Sequence, residues 1–252
     1  METLTFVYMF SQLELEKAYG PFFLLSKKRY AGMMFSGGDN VNGKQSFTGV
    51  EIVRRDNCTL LKQTQELFFE QLLRNISPEG AAKSLLNNIK DLMSGKVPLE
   101  MLTISKKLAK AKYVNPQIHV SLNDRIRERT PALAYTVGSR IPYVVTMGRG
   151  PLFDRGEDPQ FVKENFLAVD RHYYFTKQIM GPMTRLLVPL FGHKNTKIFF
   201  ERAQQGALHS HFKSNREDWI PPVLGDEEEK KTKKRKASPQ KNNLQNYFKK
   251  SK

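Results

Sequence analysis

The chain has 252 residues, 39% hydrophobic and 11% aromatic, which is enough to bury a sizeable core in one or two domains. Its formal charge is +16, but residues 230–252 hold ten Lys or Arg and no Asp or Glu, leaving +6 for residues 1–229, so the total mostly reports a basic tail. No apolar run approaches the ~20 residues of a membrane span, the start lacks a signal-peptide pattern, and a lone Cys58 excludes an internal disulfide or a cysteine-cluster metal site; an intracellular, reducing setting is expected.

In chain order, residues 12–18 read as a short helix ended by Gly20-Pro21, and residues 22–25 as a buried strand, because four consecutive apolar residues leave no solvated face. Residues 28–35 continue extended. Residues 36–43, rich in Gly, Asp and Asn, form a hairpin turn, and residues 48–54 are the return strand. Gly43-Lys44-Gln45 lacks the hydroxyl of a phosphate-binding loop, so a plain turn is the expectation. Residues 59–75 carry a helical stripe of Leu60, Leu61, Leu67, Phe68, Leu72, Leu73 and Ile76. Ser77-Pro78 starts a second helix that stops at Gly95.

Residues 102–104 read as extended and lead into the cationic run 105–110. Asn115-Pro116 opens a helix over residues 117–129, residues 140–147 form a strand, and Asp158-Pro159 opens a helical turn. Residues 170–179 and 182–191 are helices, and the pattern weakens from Lys194. Residues 226–252, an acidic run followed by a basic one, contain too few apolar residues for a core and read as a disordered tail.

An enzyme site is hard to find. Asp154, Glu157, Asp158 and Asp170 are scattered, Glu157-Asp158 before Pro159 suits a helix cap, and His209 and His211 have no visible third ligand. Cys58, although near Arg54 and Arg55, fits a small buried residue better than a reactive thiol. The cations are more informative. On a strand, Lys28 and Tyr30 would share one face and Lys27 and Arg29 the other, so a lysine could enter a groove of DNA while its neighbours neutralise phosphates. A charged, solvated strand edge is the competing explanation.

The run Ser26-Lys27-Lys28-Arg29-Tyr30-Ala31-Gly32, following Pro21-Phe22-Phe23-Leu24-Leu25, resembles the Lys-Lys-X-Tyr motif of family B DNA-directed DNA polymerases, in the delta-like and large-DNA-virus branch. The resemblance continues through Gly49-Val50-Glu51-Ile52-Val53-Arg54-Arg55-Asp56 and returns at Leu102-Thr103-Ile104-Ser105-Lys106-Lys107-Leu108, Tyr113-Val114-Asn115-Pro116-Gln117-Ile118-His119-Val120 and Asp170-Arg171-His172-Tyr173-Tyr174, covering roughly residues 12–192.

It implies an α+β fold: residues 1–57 as the C-terminal part of the palm with its hairpin, 58–225 as a mostly helical thumb, and 226–252 as the tail. It implies primer–template contacts from Lys27, Lys28 and Tyr30, from Arg54 and Arg55 at the palm–thumb junction, and from Ser105, Lys106, Lys107, Asn115, Gln117, His119 and Arg125 in the thumb. The family's metal-binding palm aspartates have no counterpart, so no catalytic residue and no metal ligand is expected on this chain; the two Mg2+ of a complete polymerase would sit on an N-terminal part carrying exonuclease, fingers and catalytic palm.

The expectation is a C-terminal fragment or subunit of a replicative polymerase, from a split or interrupted gene. The alternative is a non-enzymatic module that binds DNA and a sliding clamp. The clamp enters because Leu244, Tyr247 and Phe248, at i, i+3 and i+4, resemble a sliding-clamp-binding motif, with Lys241 where that motif has Gln. Residues 230–236 resemble a nuclear address, so the nucleus or a viral replication site is the expected location.

Overall fold

The computed structural model describes residues 17–35 and 43–208. The first sheet is antiparallel, in the order β1-β2-β3, with β1 Ala18–Ser26, β2 Arg29–Phe35 and β3 Lys44–Thr48. A 3-10 turn over Glu51–Val53 leads into α1 (Thr59–Leu73) and α2 (Pro78–Ser94). A short α3 (Leu99–Leu102) precedes β4 (Ile104–Lys107), then α4 (Ile118–Arg129), β5 (Arg140–Val145), β6 (Gly156–Glu157) and α5 (Pro159–Glu164). Strands β4, β5 and β6 form a second antiparallel sheet. The last stretch is helical throughout: α6 (Arg171–Tyr173), a π segment (Tyr174–Met180) and α7 (Gly181–Leu208), broken at Gly192 where φ is 77°. The architecture is α+β, as expected.

Helix caps follow the sequence closely. Ser77 Oγ accepts from the Gly80 N–H at 3.0 Å, and α2 ends at Gly95 with φ 80°, the left-handed conformation glycine adopts without a Cβ penalty. Asp158 caps α5, accepting from Gln160 and Phe161 N–H at 2.8 and 3.2 Å. The core joins α1 and α2 to the final helices through Leu60, Phe68, Leu85, Ile89, Ile179 and Leu187. Phe69, absent from the expected stripe, packs on Phe23 and Phe47 (ring centroids 6.1 and 5.6 Å) and so ties the first sheet to α1.

Several expectations need correction. Ala18 opens β1, and Gly20-Pro21 lies inside that strand instead of ending a helix; residues 12–16 lie outside the described ones. Phe22–Leu25 is strand but not buried on both faces. Phe23 and Leu25 face the core, while Phe22 and Leu24 are exposed. The return strand is β3, ending at Thr48. Gly49 (φ 65°) turns the chain there, and the 3-10 turn takes the place of the strand expected over residues 48–54. On α1, Leu67 is exposed, and Ile76 just beyond the helix is too. Of residues 102–104, Leu102 ends the helical turn Leu99–Leu102, while Thr103 is extended and Ile104 begins β4. Beyond Lys194 the chain stays helical to Leu208, with Phe199, Phe200 and Ala203 buried. His209, His211, the tail and the Leu244, Tyr247 and Phe248 triplet lie outside the described residues.

Candidate nucleic-acid interface

The pairing of Ser26 with Arg29 makes Lys27-Lys28 the tip of the β1–β2 hairpin. They are therefore turn residues and not, as expected, members of alternate strand faces. Both are exposed, and Lys28 has φ 63°, a conformation uncommon outside Gly, Asn and Asp. Tyr30, two residues on, is half-buried in an aromatic group with Tyr19 and Phe22, at centroid distances of 5.9 and 5.3 Å. Hydrogen bonds with Thr48 and Tyr19 hold its phenol below the ordinary range.

Arg29 turns inward. Its Nε donates to the Gly49 carbonyl at 3.1 Å and its Nη2 to Glu51 Oε1 at 2.6 Å. Glu51 is 4% exposed, and the same Oε1 accepts from Arg185 Nη2 of α7 at 2.7 Å, while Oε2 accepts from Gln65 of α1 at 3.0 Å. Burial alone would raise the Glu51 carboxyl. The Gln65 hydrogen bond and the Arg185 and Arg29 charges outweigh it and hold the group below the usual carboxylate range.

Arg54 and Arg55 are exposed on the loop between the 3-10 turn and α1. Asp56, the next residue, lines a cavity of about 390 Å³ together with Lys106, Gln117, Tyr143, Tyr173 and Gln178. Four of the motif segments thus meet around one cleft. Cys58 is fully buried at the start of α1, where burial raises its thiol, so it is not poised to react.

In the second sheet and α4 the expected residues divide. Lys107 and Asn115 are exposed and Lys106 is half-buried, and no ion pair engages any of them among the described residues. Ser105 Oγ accepts from Arg140 Nε at 3.1 Å, so it is spent on the neighbouring strand. His119 is 4% exposed, stands edge-on to Tyr113, and finds no partner for either ring nitrogen among the described residues; burial, then the Lys106 charge, lowers its pKa. Arg125 donates to the Gly156 carbonyl and lies 3.7 Å from Glu157 Oε2 and 4.0 Å from Asp154 Oδ1. Arg129 forks onto Glu157 at 3.0 Å and stacks 4.2 Å from the Phe161 ring centroid.

Sequence reasoning missed Arg29, Glu51, Arg140 and Arg185 as organising residues. The available signal for Glu51 was a single acid inside the apolar run 50–53. For Arg185, 134 residues away, there was none.

The family model of DNA polymerase family B matches residues 4–190. The chain belongs to DNA polymerase family B. Among its relatives are the DNA polymerase delta catalytic subunits of Bos taurus, 38% identical over 185 residues, and of Caenorhabditis elegans, 38% identical over 194 residues. These alignments take in 72% and 75% of this family B chain but only 17% and 18% of the relatives, so it spans less than a fifth of their length. The solved structure of the family B DNA polymerase from the hyperthermophilic archaeon Pyrobaculum calidifontis matches with a TM-score of 0.54 at 24% identity, over 73% of this chain and 24% of that one, a likeness of fold.

The donor set does not fit the two Mg2+ that the family implies. Among the described residues no group of three or more His, Cys, Asp or Glu is placed to hold a metal. Of the buried or half-buried acids among the described residues, Glu51, Glu157 and Asp170 are spent on arginines and Asp158 on the cap of α5. No helix among the described residues is long and apolar enough to cross a membrane.

Proposed function

We propose that these 252 residues grip primer–template duplex for a replicative DNA-directed DNA polymerase whose metal-binding aspartates lie outside them. In this reading the first sheet completes the palm, and the helices with the second sheet form the thumb. The observation that carries it is the Lys27-Lys28 turn: two exposed cations with no internal partner among the described residues, beside the half-exposed ring of Tyr30. Ammonium groups so placed are suited to phosphates, and a tyrosine to a sugar edge. Lys106, Lys107, Asn115, Gln117, Arg54 and Arg55 extend the surface along the duplex. Ser105, His119 and Arg125 support it from behind, because their side chains are already buried or bonded within the fold.

The partners proposed are primer–template DNA, an N-terminal polymerase part with exonuclease, fingers and catalytic palm, and a sliding clamp met by Leu244, Tyr247 and Phe248. The exposed Phe22 and Leu24, beside the half-buried Tyr19, give that polymerase part an apolar surface on the first sheet to cover.

The test has two arms. The purified chain should bind primer–template duplex without sequence preference, with log K falling by about 0.9 per log unit of salt for each phosphate neutralised. Mixed with the N-terminal polymerase part it should restore template-directed dNTP incorporation. Salt-sensitive binding without restored synthesis would favour the non-enzymatic DNA-binding and clamp-binding module instead. Absence of both would sink the duplex-gripping reading.

A further inference from the structure

The Lys27-Lys28 turn is held by residues that do not reach its tip. Arg29, the first residue of β2, spans two acceptors, the Gly49 carbonyl at 3.1 Å and Glu51 Oε1 at 2.6 Å. Gly49 is pressed against the turn so closely that a β-carbon there would collide with the Lys28 carbonyl oxygen, and its φ of 65° excludes most side chains independently. Glu51 is fixed from three directions, by Arg29 of the first sheet, Gln65 of α1 and Arg185 of α7. Its location is over-determined, and Arg29 passes that location on to the turn. Strand pairing of Ser26 with Arg29 and of Tyr30 with Thr48 closes the hairpin, and the fork of Arg29 ties its end to Gly49 and Glu51.

We propose that Glu51 is a positioning residue for duplex binding: through the fork of Arg29 it fixes the Lys27-Lys28 turn, and through Arg185 it links that turn to the start of α7. The proposal rests on the duplex-gripping function above. Its chemistry needs a planar guanidinium at position 29. One side chain must donate from two nitrogens, in fixed relative directions, to a backbone carbonyl and a carboxylate. An ammonium supplies the same charge but cannot hold both acceptors in that geometry. The linkage also explains a buried acid in a region otherwise rich in cations, since Glu51 neutralises arginines that would repel each other across the junction.

The experiment compares salt titrations of primer–template binding by the full chain and its variants, with circular dichroism confirming the fold. Lys27→Ala with Lys28→Ala should lower the slope of log K against log salt by about 1.8, two phosphates' worth. Arg29→Lys, which keeps the charge, should lower it by the same amount, and adding the two lysine replacements to Arg29→Lys should lower it no further. Glu51→Gln, which keeps the shape and removes the charge, is the second variant with the same expectation, and decides the matter should Arg29→Lys not fold. A wild-type slope in these variants, or effects that simply add to those of the lysine replacements, overturns the positioning role. If the two lysine replacements themselves leave the slope unchanged, the duplex-gripping role of the turn fails first and this proposal with it.

Discussion

Lys27 and Lys28 stand exposed at a hairpin tip, whereas Arg125 and Arg129 on α4 are folded back onto Gly156, Glu157 and Phe161. In the sequence both sets are clusters of cations beside apolar residues. In the structure one set faces outward and the other closes a sheet edge against a helix. The difference lies in what is within reach. Among the described residues no acidic side chain pairs with the turn, and Glu51, the acid that Arg29 reaches, is shared between Arg29 and Arg185. Around α4, Asp154 at the end of the 3-10 turn Leu152–Asp154 and Glu157 on β6 arrive at the right height to accept. A cation's role is therefore set by the acids that the fold brings to it, and those are often distant in sequence.

The hardest test of this contrast is to detach one region from the other. Phe69→Ala removes the ring shared by Phe23 and Phe47, and should cost about 3–5 kcal/mol in denaturant unfolding. A single cooperative transition shifted downward is expected; two separate transitions would mean that the first sheet unfolds on its own.

Arg125→Met should cost about 2 kcal/mol, since it leaves the Gly156 carbonyl and Glu157 short of a donor. Duplex affinity per folded molecule should stay the same. A fall in affinity without a fall in stability would place Arg125 on the duplex and break the comparison.

Acid should act on the two regions in sequence. His119 is held below the ordinary imidazole range, so the stability it contributes is present above that range and is lost as pH falls from there towards its folded value. Glu51 is held below the ordinary carboxylate range, so its contribution is lost at lower pH, as that group is protonated. Thermal melts against pH should show the earlier loss, and His119→Leu should remove it while leaving the later one.

The smallest effect is expected at Lys107. Lys107→Ala should change stability by no more than about 0.5 kcal/mol and lower the salt slope of duplex binding by about 0.9. A change in stability with no change in slope would put Lys107 in the same class as Arg125.

Much of this was legible in the sequence where the cause is local. Ser77 and Gly95 bound α2, Asp158 caps α5, and the strand expected over residues 140–147 forms as far as Val145, because each needs only its neighbours along the chain. The reading failed where a distant contact decides. Residues 48–54 look extended by alternation, yet Gly49 turns the chain and Glu51 is drawn inward by three donors from β2, α1 and α7. Phe22-Phe23-Leu24-Leu25 looks buried on both faces, yet only Phe23 and Leu25 pack into the core, on the Phe69 side, while Phe22 meets the rings of Tyr19 and Tyr30 and stays exposed with Leu24. At the candidate site the segments were legible but the division of labour was not: nothing near Arg125 in sequence announces Glu157, 32 positions on in the numbering.

The carboxylate shared by Arg29 and Arg185 also has an electrostatic consequence. Two guanidinium groups on one carboxylate leave a surplus of one positive charge at the junction, and Arg29, 25% exposed, holds part of it out of bulk solvent. Mobile ions screen exposed charges over about 8–10 Å at ordinary ionic strength but reach a half-buried one less well. The field from this junction should therefore outlast that of the hairpin tip as salt is raised, leaving a shallow residual attraction for any polyanion after the lysines have been silenced.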